Sequence, residues 1–443
     1  MVVLCYLVTK LSRLPELVPV LSALSLAAIV VSLPAAAWGA RLLMIPFLAG
    51  GAWMLINSGI GWQESSVAFG DMANLLALLM MLPICAVPVK LGGYSQAIQA
   101  VLRRRVSGVF QLNCLVTTLS FICGSFMSVA AIPVMMTSME PVVRTFPIRH
   151  RERFMAVSTV YGYALSILWS PVSGVVGVIV YTLHVDWLTL FPVLFALSMV
   201  CLLANWLLFY CIELVGRPAQ IEEINLVPDV TESPLPQLMQ MVLAIVLLIV
   251  SIVLFEHSLR IGLITVVTLV AVPFALVWSA VAGQAKAFFG EARLQWTVRL
   301  PQMADQFVIF LSAGFFAQAI RLSGSDHVAN LAFFHLYQVI GKNIFLLLIP
   351  PMMLLVSFVG LHPMVVIALL GESLKPEVLG LSSMQLSVAM IGGAVLTYIA
   401  GPFSGTLGLV QSINKVSTFR LSLWNSPYAT GYIVLLGVTT LLL

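Results

Sequence analysis

Three residues of chemical interest occur twice in this chain, in the same order and at the same spacing. Pro171, Ser173 and Gly174 recur as Pro402, Ser404 and Gly405, and the surrounding segments, Val157 to Ile179 and Val388 to Val410, align at a constant offset of 231 positions. Both copies lie in apolar runs. A proline inside a helix removes a donor and interrupts the hydrogen-bond ladder, so each copy predicts a helix broken in its middle. The break frees N–H groups on one side and C=O groups on the other, and hydrocarbon offers neither a partner. An anion at the new helix N-terminus, or a cation among the carbonyls and hydroxyls, meets that need. Gly174 and Gly405 let the backbone approach a ligand, while Ser173, Ser404 and Thr406 add oxygens suited to a hard cation, so a Na⁺ site near Ser173 and Ser404 is expected. The alternative is that proline and glycine only kink packed helices whose serines bond to the preceding turn. Two matched copies favour a binding site near both breaks.

Other residues join the site through two more interrupted apolar stretches. Gly124-Ser125-Phe126-Met127-Ser128 and Ser357-Phe358-Val359-Gly360 each precede a proline, Pro133 and Pro363, and match with a slip of one residue. Ser125, Ser128 and Ser357 are expected to face the same cavity from opposite sides. His362 is the one ionisable residue at either tip; its imidazole titrates near neutral pH, so it could carry a coupling proton, donate to an anion, or simply bond to a loop carbonyl. Asp71 and Asp305 are further candidates for proton coupling, against the alternative of end-of-helix acids that reach the interface. Tyr161, Tyr163 and Tyr398 precede the breaks and could line the cavity, with ordinary packing the other option. Lys90 and Arg321 are expected to snorkel to the headgroups. The six cysteines form no Cys-x-x-Cys pair. No metal, Ser/His/Asp or Walker constellation is present in the sequence, so no enzyme activity and no cofactor are expected, apart from Na⁺ as a coupling ion.

The elements that hold these residues follow from composition. Hydrophobic residues make up 61% and charged residues only 9% of the 443, so most of the chain must be solvated by lipid. Continuous rather than alternating apolar runs predict an all-α polytopic fold instead of a barrel. Ten runs are long enough to span, near residues 17–38, 42–60, 66–88, 154–182, 187–212, 237–255, 261–280, 303–320, 385–413 and 426–443. The stretches 107–141 and 344–371 are broken near the middle and read as re-entrant hairpins, the first entering from the cytoplasm and the second from outside. With both termini outside, fifteen of the 21 Lys and Arg fall on the cytoplasmic side and six outside, the orientation the positive-inside rule favours. The net charge of +4 is spread over loops and predicts no nucleic-acid partner. A polar linker, 215–236, divides the chain into repeats 1–214 and 237–443; five spanning helices in each make the second run inverted. Two less hydrophobic stretches, 94–105 and 325–341, are expected to lie along the membrane surface.

Five helices with a re-entrant hairpin and a broken helix, repeated with inverted topology, resemble the ion transporter superfamily. That group includes divalent-anion/sodium symporters, arsenite and sodium/proton antiporters, and the large membrane subunit of tripartite (TRAP) transporters. The resemblance covers nearly the whole chain in layout. The Ser-Asn-Thr of symporter tips is absent; Gly124/Ser125/Ser128 and Ser170-Pro171-Val172-Ser173 are nearer the Gly/Ser-rich tips and Pro-Pro-Ser break of TRAP large subunits. The resemblance implies a secondary transporter of the inner membrane that moves a small anionic solute by alternating access, coupled to Na⁺ or H⁺, and often a homodimer. The other readings are a TRAP-type large subunit needing partner proteins, an envelope-lipid flippase or non-transporting scaffold, and a channel.

Overall fold

The computed structural model describes residues 1–12, 14–106, 108–211 and 235–443; nearly all of the expected linker lies outside them. The described residues form helices without strands. In chain order they are α1 (Val2–Ser12), α2 (Val18–Ser32), α3 (Trp38–Asn57), α4 (Trp62–Ser66), α5 (Ala73–Cys85), α6 (Val87–Leu91), α7 (Tyr94–Arg105), α8 (Val109–Met127), α9 (Ala131–Val143), α10 (Arg151–Ile167), α11 (Gly174–Thr182) and α12 (Trp187–Phe209). After the linker come α13 (Leu235–Leu259), α14 (Leu263–Val281), α15 (Ala285–Leu294), α16 (Ala304–Leu322), α17 (Asp326–Ile340), α18 (Lys342–Ser357), α19 (Pro363–Ser373), α20 (Pro376–Leu379), α21 (Ser383–Ala400), α22 (Gly405–Asn414) and α23 (Thr418–Leu442).

Among the described residues, nine helical segments are long and apolar enough to cross a membrane, so the chain is an all-α polytopic membrane protein. Eight of them coincide with expected runs. The ninth, Val109–Val143, contains α8 and α9, which turn at Ser128–Ala130 and pack on each other as the hairpin reading requires. The remaining two expected runs are absent from the nine. In one, the break leaves α10 and α11 as separate short helices; in the other, α23, polar residues such as Asn425 and Ser426 dilute the apolar run.

Burial separates a centre from a periphery. α10 is buried continuously from Phe154 to Ile167 and α21 from Gln385 to Ala400, whereas α2, α3 and α13 are mostly exposed. A helix that is apolar all round and also buried belongs at the middle of a bundle, so the two helices that stop at the prolines are its core. α8 packs along α10, and α18 along α21, bringing each hairpin onto a broken helix.

Three features depart from expectation. α1 was not anticipated, because eleven residues are too few to span; it packs on α5 through Val3 and Tyr6, and the Tyr6 and Thr265 hydroxyls are 2.6 Å apart. The 94–105 stretch is the helix α7, but it buries Tyr94, Ala97, Ile98 and Val101 against its neighbours, and Trp278 Nε1 donates to the Tyr94 hydroxyl at 3.2 Å. Lys90 and Arg321 each find an acid in the protein: Lys90 with Glu291 at 2.6 Å and Arg321 with Asp71 at 3.0 Å.

Candidate functional site

Each break has a local cause. Pro171 and Pro402 cannot donate to the ladder, and they push Ser170 and Gly401 out of helical conformation. The chain resumes as helix at Gly174 and Gly405, with Ser173 and Ser404 in extended backbone at the N-cap positions. The two caps differ. Ser404 turns its hydroxyl onto its own helix and accepts from Leu407 N at 3.4 Å, whereas the Ser173 hydroxyl caps nothing. The first N–H groups of α11 therefore receive no cap from Ser173, and the positive end of that helix opens into free space.

The carbonyl side of each break is satisfied by other side chains. Trp187 Nε1 donates to Trp169 O at 3.0 Å. At the second break Asn425 Nδ2 donates to Ile399 O at 2.9 Å, and the Ser422 hydroxyl donates to Ala400 O. Polar residues of α12 and α23 thus hold the carbonyl ends, while the N–H ends face the cavity. Asn425→Leu, which removes the donor at similar volume, is expected to lower stability by about 1–3 kcal/mol, measured as a fall in melting temperature of the purified protein.

That space is a cavity of about 520 Å³ between the two breaks and the tip of α8–α9. Ser125, Ser128, Ser173, Gly174, His362, Gly405 and Thr406 all line it, as their sequence positions predicted. Ser357 and Ser404 do not. Ser357 is buried and donates back to Leu354 O at 2.6 Å, packed so closely on the second break that a Cβ at Gly401 would stand 2.7 Å from its oxygen. Ser404 is withdrawn by its capping role.

Tyr163 and Tyr398 join the wall, and Tyr161 packs on Tyr428 instead. The Tyr163 phenol stands beside the hydroxyls of Ser128 and Thr406, though Thr406 Oγ1 makes no hydrogen bond of ordinary geometry. Ser170, Gln302, Gln306, Phe310 and Met364 were not singled out from the sequence. Gln302, in the short 3-10 turn before α16, and Gln306, in its first turn, lie four residues apart, a spacing that could have marked them. Ser170 donates through its hydroxyl to Ser125 O, tying the first hairpin tip to the first break. Ser128 holds φ at 52°, a strained backbone for a residue with a Cβ, costing about 1–3 kcal/mol, which often marks a working site.

His362 has a defined role. It is the N-cap of α19, where Nδ1 accepts from Met364 N at 3.3 Å, and its ring packs edge-on to Phe310 and Tyr398. An accepting Nδ1 places the proton of neutral imidazole on Nε2, making it a hydrogen-bond donor. Neither acid joins the cavity. Asp305 accepts from Ala37 N at 2.6 Å and so caps α3, and Asp71 is bound by Arg321. Among the described residues, those lining the cavity include no Asp, Glu, Lys or Arg.

No protein-family model and no curated protein sequence matches this chain. Among solved structures, the fold is similar to that of the YdaH transporter of Alcanivorax borkumensis, whose crystal structure is described as having an unusual topology. The two share 16% identity with a TM-score of 0.60, over 93% of this chain and 98% of that one.

Proposed function

We propose that this protein is a secondary active transporter that carries a small anionic solute across the membrane by alternating access. The observation that carries the reading is the asymmetry of the two breaks: side chains of α12 and α23 occupy their carbonyl ends, while helix N-termini at Gly174 and Gly405 face one cavity. Aligned N–H groups and the positive helix end attract an acceptor with negative charge, which also explains how an anion could sit where no Arg or Lys is present. Hydroxyls of Ser128, Ser173 and Thr406 and the His362 Nε2–H supply further donors, while the Ser125 hydroxyl donates back to Ile122 O at 2.7 Å and offers the cavity its lone pairs. A cavity of about 520 Å³ suits a small organic or inorganic anion. The likeness to YdaH, a transporter, supports the same class by fold.

The driving ion is Na⁺ or H⁺, with the uncapped Ser173 hydroxyl at the first break for Na⁺ and His362 the cavity imidazole for H⁺. The charge distribution supports a multi-pass protein of the inner membrane with both termini outside, which puts the end of the central cavity lined by Gln302 toward the cytoplasm. Purified protein in liposomes is expected to accumulate a small carboxylate or phosphate with saturation, driven by one of the two cation gradients and without partner subunits. Uptake that requires added partner proteins would point to a tripartite system, and flux that neither saturates nor couples would point to a channel. In the same assay Ser173→Ala with Ser404→Ala should lower uptake about tenfold while the fold is kept. Full uptake or lipid flipping by that variant would sink the site assignment.

A further inference from the structure

A second cavity, of about 460 Å³, is lined by Asp71, the partner of Arg321, together with Thr9, Lys10, Asn74, Tyr181, Gln318 and others. Three helices contribute to both cavities at different heights. On α5, Asn74 faces the second cavity and Leu79 and Leu82 the central one; on α11, Tyr181 and Gly174 divide in the same way; on α16, Gln318 and Phe310 do. At helical rise these pairs are about 7–12 Å apart, so the two cavities stand end to end along the same three helices. Between those heights α5 carries Leu75 and Leu78 and α11 carries Val178, all buried.

We propose that the second cavity is the opposite mouth of the solute path, and that the Asp71–Arg321 ion pair is the latch that holds the apolar septum closed. This rests on the central cavity being the solute site. The pair is placed to act as a latch because it joins the turn that leads into α5 to the end of α16 across 250 residues of sequence, at the rim of the septum those helices form. Both carboxylate oxygens are within 3.1 Å of one guanidinium nitrogen, and the two side chains are only 12% and 37% exposed, so solvent screens the contact incompletely. Tyr181 at the end of α11 and Lys10 of α1 both act on Asp71, which ties a third helix of the septum and the overlying α1 to the same carboxylate. Lys10, Arg321 and Asp71 together leave one positive charge at this mouth, which would draw in the same small anions that the central helix N-termini receive.

The test reads access and needs no solute. In a background with the six native cysteines replaced, single reporters are introduced as Gln318→Cys in the second cavity and Gly408→Cys in the central one, where a Cβ meets nothing within 4 Å. A membrane-impermeant maleimide is applied from either side of oriented vesicles. The reporters are expected to label from opposite faces. Arg321→Gln, and separately Asp71→Asn, should raise labelling of Gly408→Cys from the Gln318 face about tenfold, and exchanging the charges (Asp71→Arg with Arg321→Asp) should reverse the rise. Labelling of both reporters from one face, no rise in either single variant, or a rise that charge exchange leaves in place would overturn the proposal. If access behaves as expected while the Ser173/Ser404 variant transports fully, the path stands and the solute site has to be moved.

Discussion

Gly405→Leu is expected to leave the protein folded and to lower solute uptake about hundredfold, the loss expected when hydrogen bonds to a charged group are removed. Gly405 opens α22, lines the central cavity, and has no heavy atom within 4 Å of the position a Cβ would take. The first carbon of a side chain there meets no protein, and any residue with a Cβ gains helix propensity over glycine. Its branched side chain would instead stand over the helix start that receives the anion. The readouts are the melting temperature, which should equal or exceed that of the parent, and the initial rate of uptake into liposomes. Gly174→Leu is a poorer probe of the same idea, because a Cβ at 174 lies 2.8 Å from the Met364 sulfur and would disturb packing as well as the site.

Gly162→Ala has the opposite profile: it is not a cavity-lining position, yet is expected to be among the most damaging single methyl groups in the chain. A Cβ at 162 would lie 2.3 Å from the carbonyl oxygen of Thr117 and 2.8 Å from Cβ of Ser120. The obstacle is backbone, which cannot swing aside as a side chain can, so α8 and α10 must separate at a cost of about 3 kcal/mol. The same seam brings Gly124 against Ser166, and small residues are what allow helices to approach so closely in a membrane protein. Separation of the two helices would also part Ser170 from Ser125, linking a packing defect to the site. The check is thermal melting of purified protein, with a large fall expected; an unchanged melting temperature would mean that the α8–α10 crossing is looser than described.

The parts of this site set by local backbone chemistry were legible in the sequence. Pro171 and Pro402 break their helices where their missing donors require it, and the residues just beyond them start the next helix facing a cavity. Seven of the nine binding residues named from the sequence line that cavity. Ser357 and Ser404 do not, and their hydroxyls bond to backbone groups three residues away; Ser125 makes the same kind of bond to Ile122 O yet lines the cavity, so which serine faces it is a matter of packing that residue type alone does not set. Long-range pairing was the part that could not be read. Lys90 with Glu291, Arg321 with Asp71, and Asp305 with the start of α3 each join residues more than two hundred positions apart, and reading each helix alone supplies none of these partners. Asn425 and Ser422 were passed over because nothing in α23 shows which carbonyls lie beside it. The short α1 lay below the length at which an apolar run declares itself a membrane span.

The central claim is that the helix N-termini at Gly174 and Gly405, rather than the carbonyls across the breaks, receive the solute. It is tested most directly by the density that fills the cavity when the protein, in lipid nanodiscs, is imaged with a mixture of small carboxylates and phosphate at saturating concentration. The prediction is one compact density whose polar end lies against the start of α11, within hydrogen-bond reach of the Gly174 and Val175 N–H groups. An empty cavity, an acyl chain continuous with the bilayer, or a lone ion seated among the carbonyls near Ile399 and Ala400 would contradict it.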